Sequence, residues 1–224
     1  MRTRVAIGPS SFGEMNKSPL RMLENAGVEV VENPYSRRLT EIEIIDHINN
    51  VDGLIAGLEP LTSNVLETVK HRLKAIARVG IGMSNVNIDA AKLLGIKVSN
   101  TPDGPTDAVS EMTIAALLNC ARKIGPMSES LHSGEWNKMI GLSLSEMTVL
   151  IIGYGRIGKR VGELLRFFNS EIIVHDPFLG VAGKNVDGNT LVDLDEGLKR
   201  ADCITIHASG DHVLLNENEF TLMK

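Results

Sequence analysis

Thr148-Val-Leu-Ile-Ile-Gly153-Tyr-Gly155-Arg-Ile-Gly158 is a β-branched apolar run that breaks directly into a G-x-G-x-x-G turn, and a helical pattern follows it to about Phe168. A strand before the glycines and a helix after them is the context in which this motif cradles a pyrophosphate. Gly153 permits the tight turn, Gly155 lets the backbone approach a phosphate, and Gly158 lets the helix pack on the sheet with no side chain between them. The helix opening at Arg156 and Ile157 points unpaired N–H groups and a partial positive charge at the anion, and Arg156 adds a charge at the rim. The next strand, Glu171-Ile-Ile-Val-His-Asp176, ends in a carboxylate at the spacing expected for an acceptor of adenosine ribose hydroxyls. A carboxylate there repels a 2′-phosphate and no arginine follows it directly, so NAD rather than NADP is the expected cofactor.

The 224 residues are 43% hydrophobic and 23% charged, which suits a globular protein with room for more than one domain. A formal net charge of −5, without a basic run, argues against a nucleic-acid surface. No apolar stretch reaches membrane-spanning length, and Met1-Arg-Thr-Arg-Val-Ala-Ile leads into a strand rather than a signal peptide, so no membrane partner and a cytoplasmic location are expected. Cys120 and Cys203 lack metal-ligand spacing. Both are expected in the core, and no metal site is expected.

The first hundred residues alternate short β-branched runs with amphipathic stretches, the pattern of a parallel sheet covered by helices. Thr40 caps a helix through Ile48, with Glu43 at the capping-box position, and Ser63 is read as the cap of Asn64 to Val69. A mostly apolar run predicts one connector helix over 107–123, broken by Gly125-Pro126 and followed by a polar helix from Met127 to His132. The expected organisation is α/β with two Rossmann-like domains. Residues 1–99 form a flavodoxin-like substrate domain, and residues 100–224 form the N-terminal part of an NAD-binding domain.

Ala77-Arg78-Val-Gly80-Ile-Gly82-Met-Ser-Asn85-Val-Asn-Ile-Asp89, then Val98-Ser-Asn-Thr101-Pro102, Ala108-Val-Ser-Glu111 and Gly134-Glu-Trp136 stand in order ahead of the glycine turn. With His175-Asp176-Pro177 they resemble the D-isomer-specific 2-hydroxyacid dehydrogenases along nearly the whole chain. Arg78-Val-Gly-Ile-Gly and Gly-Arg-Ile-Gly-Lys-Arg160 look most like the D-3-phosphoglycerate dehydrogenase branch. The resemblance implies NAD-dependent hydride transfer between a small D-2-hydroxy acid and its 2-keto acid, with 3-phosphoglycerate as the substrate the branch suggests. It implies that the backbone N–H groups of Val79, Gly80 and Ile81 hold the substrate carboxylate, with Arg78 beside them. It also places His207 and Ala208 at the cofactor, and implies a homodimer through the connector region.

The sequence departs from the family pattern in places. Ser84 stands where aspartate is common, Gly57 where some phosphoglycerate enzymes carry an arginine for the phosphate, and the segment Ala208-Ser-Gly-Asp-His-Val213 is short. The family's catalytic arginine, glutamate and histidine are expected beyond Lys224, so no catalytic residue is assigned within 1–224 and these residues alone are expected to be inactive. His47, His71 and His132 are expected to be solvated, and His212 sits in the short segment. Two alternatives stay open: a dinucleotide-responsive binding protein like the corepressors that share this fold, or a truncated non-catalytic paralogue.

Overall fold

Runs of three or four residues, each with a valine or isoleucine, build the sheet of the first unit, residues Met1–Pro105. Its strands are β1 (Arg4–Ile7), β2 (Glu29–Val31), β3 (Gly53–Ala56), β4 (Ala75–Arg78) and β5 (Lys97–Asn100). Helices α1 (Ser18–Asn25), α2 (Glu41–Ile48), α3 (Ser63–Val69) and α4 (Ile88–Leu93) connect them. The computed structural model describes residues 2–210 and 213–224. All neighbouring strands here are parallel, in the order β2-β1-β3-β4-β5, the flavodoxin-like order. The chain passes from β1 to β2 on one side and returns to β3 on the other, so the order reverses between β1 and β3. Ligands settle in the crevice such a reversal opens at the carboxyl ends of the strands.

The helices begin where side chains satisfy their free amides. Thr40 accepts from the Glu43 amide while the Glu43 carboxylate accepts from the Thr40 amide, closing the expected capping box. The cap of α3 is Thr62 rather than Ser63: its hydroxyl accepts from the Val65 amide at 3.3 Å, and Ser63 is already helical. Asn87 caps α4 in the same way. Ile44, Ile48, Leu66 and Val69 then fall on the buried faces of α2 and α3, against Leu54 and Ile76 of the sheet.

The second unit, Thr106–Lys224, starts with α5 (Thr106–Ala121) and α6 (Ile124–His132). The break falls at Lys123, which takes a left-handed φ of 55°. Gly125 and Pro126 lie inside the first turn of α6, where an amide has no helical partner and proline costs nothing. The sheet follows as β6 (Thr148–Ile152), α7 (Arg156–Arg166), β7 (Glu171–His175), the hairpin β8 (Asn185–Val186) and β9 (Asn189–Leu191), α8 (Leu194–Arg200), β10 (Cys203–Ile206) and α9 (Glu217–Leu222). Its order is β10-β6-β7-β9-β8, with β8 antiparallel to β9 and the other pairs parallel. The parallel strands thus follow the 3-2-1-4 half of the Rossmann order.

β6 is apolar at consecutive positions because both of its faces are covered. Val149 and Ile151 pack with Ile114, Leu117, Val161 and Leu165 from α5 and α7. Leu150 and Ile152 pack with Leu198 on the opposite face. Burying an aliphatic side chain of this kind contributes about 1.5–3 kcal/mol. α5 buries only Ser110, Ile114, Leu117 and Ala121, and this corrects the reading of the cysteines. Cys120 is exposed and Cys203 half-buried, because both line an apolar groove of about 670 Å³ between α5 and the edge strand β10. Burial pushes the Cys203 thiol above its ordinary pKa. Among the described residues no helix is long and apolar enough to cross a membrane, and no cluster of three or more His, Cys, Asp or Glu is placed to hold a metal ion.

Candidate functional site

In the second unit the sheet order reverses between β6 and β10, and the glycine turn lies there. Gly153 takes a φ of 85°, and a Cβ on it would lie 2.5 Å from the Ala208 amide nitrogen. Only glycine lets the segment after β10 pass so close. A Cβ on Gly158 would lie 2.1 Å from the Gly153 carbonyl oxygen, so the first turn of α7 rests directly on the backbone of the turn. Gly155 is the opposite case. It is the N-cap of the 11-residue α7 with no side-chain cap, and nothing lies within 4 Å of where its Cβ would stand. The free amides at the start of α7 therefore open beside a surface without side chains, as an anion requires.

Asp176 follows β7 directly. Its Oδ2 accepts from the Tyr154 N–H at 2.8 Å and its Oδ1 from the Phe178 N–H at 2.9 Å. The carboxylate thus ties the glycine turn to the end of β7, and an ionised carboxylate keeps further lone pairs for ribose hydroxyls. A pocket of about 210 Å³ brings Gly153, Gly155, Asp176, His207 and Ala208 together, with Phe178 on its wall. Arg156, Ile157 and Gly158 stand in the first turn of α7 behind it: Arg156 is exposed, Ile157 packs on the core and Gly158 is buried. His207 is half-buried, with Nε2 2.9 Å from Thr205 Oγ1, and burial holds its pKa below the ordinary 6.5.

The first-unit loop is arranged differently. The Val79 amide donates to the Ala56 carbonyl at 2.8 Å, and the Gly80 amide donates to Thr101 Oγ1 at 2.7 Å. The expectation had three amides, those of Val79, Gly80 and Ile81, converging on a carboxylate; the structure commits the first two to the protein itself. The Ile81 and Gly82 amides have no hydrogen-bond partner among the described residues. Arg78 folds back over the loop, Nη1 donating to the Val79 carbonyl, and its Nε is buried without a partner.

The described histidines form no acid–base pair. His47 is half-buried rather than solvated, because α2 carries it to the end of β1, where Nε2–H donates to the Ile7 carbonyl at 3.0 Å. His71 and His132 are exposed and bond to backbone carbonyls, and His175 Nδ1–H donates to the Val192 carbonyl. None of these, nor His207, meets a carboxylate. His212 lies outside the described residues, as does residue 211 of the short segment.

An uncapped helix N-terminus, a glycine turn without side chains and a carboxylate ending the next strand fit the pyrophosphate and ribose of a dinucleotide. Residues 114–224 match the family model described as D-isomer specific 2-hydroxyacid dehydrogenase, NAD binding domain. The chain belongs to this dehydrogenase family. NAD is accordingly its cofactor. The chain is 35% identical over 199 residues to D-3-phosphoglycerate dehydrogenase of Methanocaldococcus jannaschii, covering 86% of this chain and 37% of that protein. It is also 35% identical over 190 residues to hydroxypyruvate reductase of Thermotoga maritima, covering 82% and 61%. The chain therefore spans less than two thirds of either relative. Among solved structures, the TT0316 protein of Thermus thermophilus superposes with a TM-score of 0.83 at 27% identity, over 99% of this chain and 71% of that one.

Three residues that shape these loops carry no role in the sequence reading. Thr101 stands in the Val98–Pro102 motif with no local sign of a role, yet its hydroxyl accepts from the Gly80 amide. Tyr154, an unspecified position of the glycine motif, is 2% exposed and its hydroxyl accepts from Asn189 Nδ2 at 2.7 Å, anchoring the turn to β9. Glu59 is 1% exposed with Oε1 accepting from the Gly57 amide at 2.9 Å. A charged residue inside an apolar Gly-Leu-Glu-Pro-Leu segment was the available signal for it.

Proposed function

We propose that these residues belong to an NAD-dependent oxidoreductase that interconverts a small D-2-hydroxy acid and its 2-keto acid. The pocket that joins Gly153 and Gly155 to Asp176 and Ala208 carries this reading, together with the family membership. NAD, when bound, supplies the hydride acceptor. The amides at the start of α7 hold the pyrophosphate and Asp176 accepts from the ribose. His207 stays neutral beside the cofactor, where an imidazolium is disfavoured by burial. In the first unit the Ile81 and Gly82 amides and Arg78 Nε are the donors left for a substrate carboxylate. 3-Phosphoglycerate and hydroxypyruvate are the substrates to test first, because the relatives are named for them. A homodimer through α5 and α6 completes the reading.

Polarising a carbonyl and moving its proton calls for a cation and a histidine paired with a carboxylate, and the described histidines lack such a partner. Residues 1–224 alone should therefore bind NAD without turnover. Calorimetric titration of residues 1–224 with NAD tests the cofactor site: Asp176→Asn should weaken NAD about tenfold, equivalent to about 1.4 kcal/mol, and narrow its preference over NADP. Unchanged affinity in that variant would remove Asp176 from the site. NADH consumption by the complete open reading frame with a panel of 2-keto acids tests the reaction, and sedimentation tests the dimer.

A further inference from the structure

The crevice at the reversal between β1 and β3 has a wall that the cofactor and carboxylate roles leave unused. It measures about 310 Å³. Gly8, Gly57 and the Glu59 carboxylate form its buried floor, while Ser10, Ser11 and Arg38 stand exposed around its mouth. The two adjacent arginines differ in what they face. Arg37 is spent on the Glu43 carboxylate, at 2.9 and 2.6 Å, and lies over the Tyr35 ring. The Arg38 guanidinium has no hydrogen bond or ion pair among the described residues.

The backbone that carries Arg38 is nevertheless held in place. Leu39, the next residue, is 1% exposed in the core, and Thr40 is fixed by the capping box. The Asn33 side chain donates both to the Gly8 carbonyl at 2.6 Å and to the Arg37 carbonyl at 2.9 Å, which fastens the segment before Arg38 to the loop that carries Ser10 and Ser11. A cation on such a segment, with hydroxyls beside it and no ion pair of its own among the described residues, suits an oxyanion ligand. Val79 also lines the crevice, and Ile81 follows two residues on, within about 7 Å along an extended chain. The crevice and the free amides are thus one small acid's length apart. Glu59 disfavours an anion on the floor and leaves the mouth for the charged group.

We propose that this crevice is a second anion subsite, in which Arg38, with Ser10 and Ser11, receives the far-end phosphate or carboxylate of a 2-hydroxy acid whose own carboxylate sits at Ile81 and Gly82. The proposal rests on the dehydrogenase reading for the second half of that statement only. Arg38 reaches the ligand from the segment before α2, while Gly57 and Glu59 after β3 supply the floor.

Amide spectra of residues 1–224 titrated with 3-phosphoglycerate, D-malate and D-glycerate provide the test. 3-Phosphoglycerate should shift the Ser10, Ser11 and Leu58 amides along with Ile81 and Gly82, whereas D-glycerate should shift only the latter pair. D-malate decides whether a carboxylate substitutes for the phosphate. Arg38→Ala should weaken 3-phosphoglycerate at least about tenfold and leave D-glycerate unchanged, and Arg38→Lys should recover part of the loss. The Arg38 guanidinium makes no hydrogen bond or ion pair among the described residues, so its removal should leave the melting temperature unchanged, which a thermal melt checks. Equal affinities for 3-phosphoglycerate in Arg38→Ala and the parent, or no response at Ser10 and Ser11, overturn the subsite. Turnover of D-glycerate by the complete open reading frame, with no Arg38 effect on any substrate, would sink the subsite while sparing the dehydrogenase. Arg38-dependent binding without turnover of any acid would do the reverse.

Discussion

The glycine turn of the second unit and the Val79–Gly82 loop of the first are built on one plan: each is a glycine-bearing loop at the carboxyl end of a parallel strand. They use it differently. Around Gly153 and Gly158 backbone presses on backbone, at separations a side chain could not survive, and the amides at the start of α7 stay open. Around Gly80 the amides are drawn into the protein by the Ala56 carbonyl and the Thr101 hydroxyl, and the open donors appear one step later. Steric necessity is recorded locally, as glycine. Hydrogen-bond occupancy is decided by a residue in another strand.

The sharpest way to break that comparison is a pair of methyl groups. Gly158→Ala places a Cβ against the Gly153 carbonyl at 2.1 Å, and the overpacking should cost about 3 kcal/mol in urea unfolding. Gly155→Ala meets empty space, so its unfolding midpoint should match the parent within error while NAD affinity falls. Two equally destabilised proteins would show that Gly155 is structural as well, and the division of labour among the glycines would be lost.

The same contrast governs what was legible beforehand. The glycine turn, the strand before it, the helix after it and the capping box at Thr40 could be read because each depends on residues within a few positions. The hairpin β8–β9 was equally local, with Asp187-Gly188 at φ 51° and 85° supplying the two-residue turn, and was overlooked. The cap at Thr62 was displaced by one residue, since Thr and Ser stand side by side and only geometry tells which hydroxyl reaches Val65. Arg38 had no local signature at all. It differs from Arg37 in that the capping-box glutamate, already engaged at Thr40, takes the neighbouring guanidinium, which also lies over the Tyr35 ring. Cys120 and Cys203 were misplaced because an apolar run implies burial only when something covers every face of its helix.

A smaller effect sharpens the first-unit half of the comparison. Thr101→Val removes the acceptor of the Gly80 amide without changing the side-chain shape much, and should cost about 1 kcal/mol; Thr101→Ser should restore it. Because the amide is only partly buried, the released N–H can turn to a ligand, so carboxylate affinity in Thr101→Val should rise or hold while stability drops. A fall in both would mean that Thr101 positions the loop and that the committed amide was never in competition with substrate.

The least effect is expected from pH. Burial lowers the pKa of His207 from 6.5, so above pH 6.5 the imidazole is neutral in both folded and unfolded chains and its favourable environment counts fully. As pH falls below 6.5 the unfolded chain takes up the proton first, and stability declines until the folded pKa is passed. The urea midpoint should therefore drop further between pH 7.5 and 5.5 in the parent than in His207→Asn. His207 also lines the cofactor pocket, where bound NAD would bury it further and penalise its charge more. NAD affinity should then weaken over the same pH interval in the parent and stay flat in His207→Asn. Parallel pH profiles for the two proteins would place the imidazole in solvent and detach it from the cofactor.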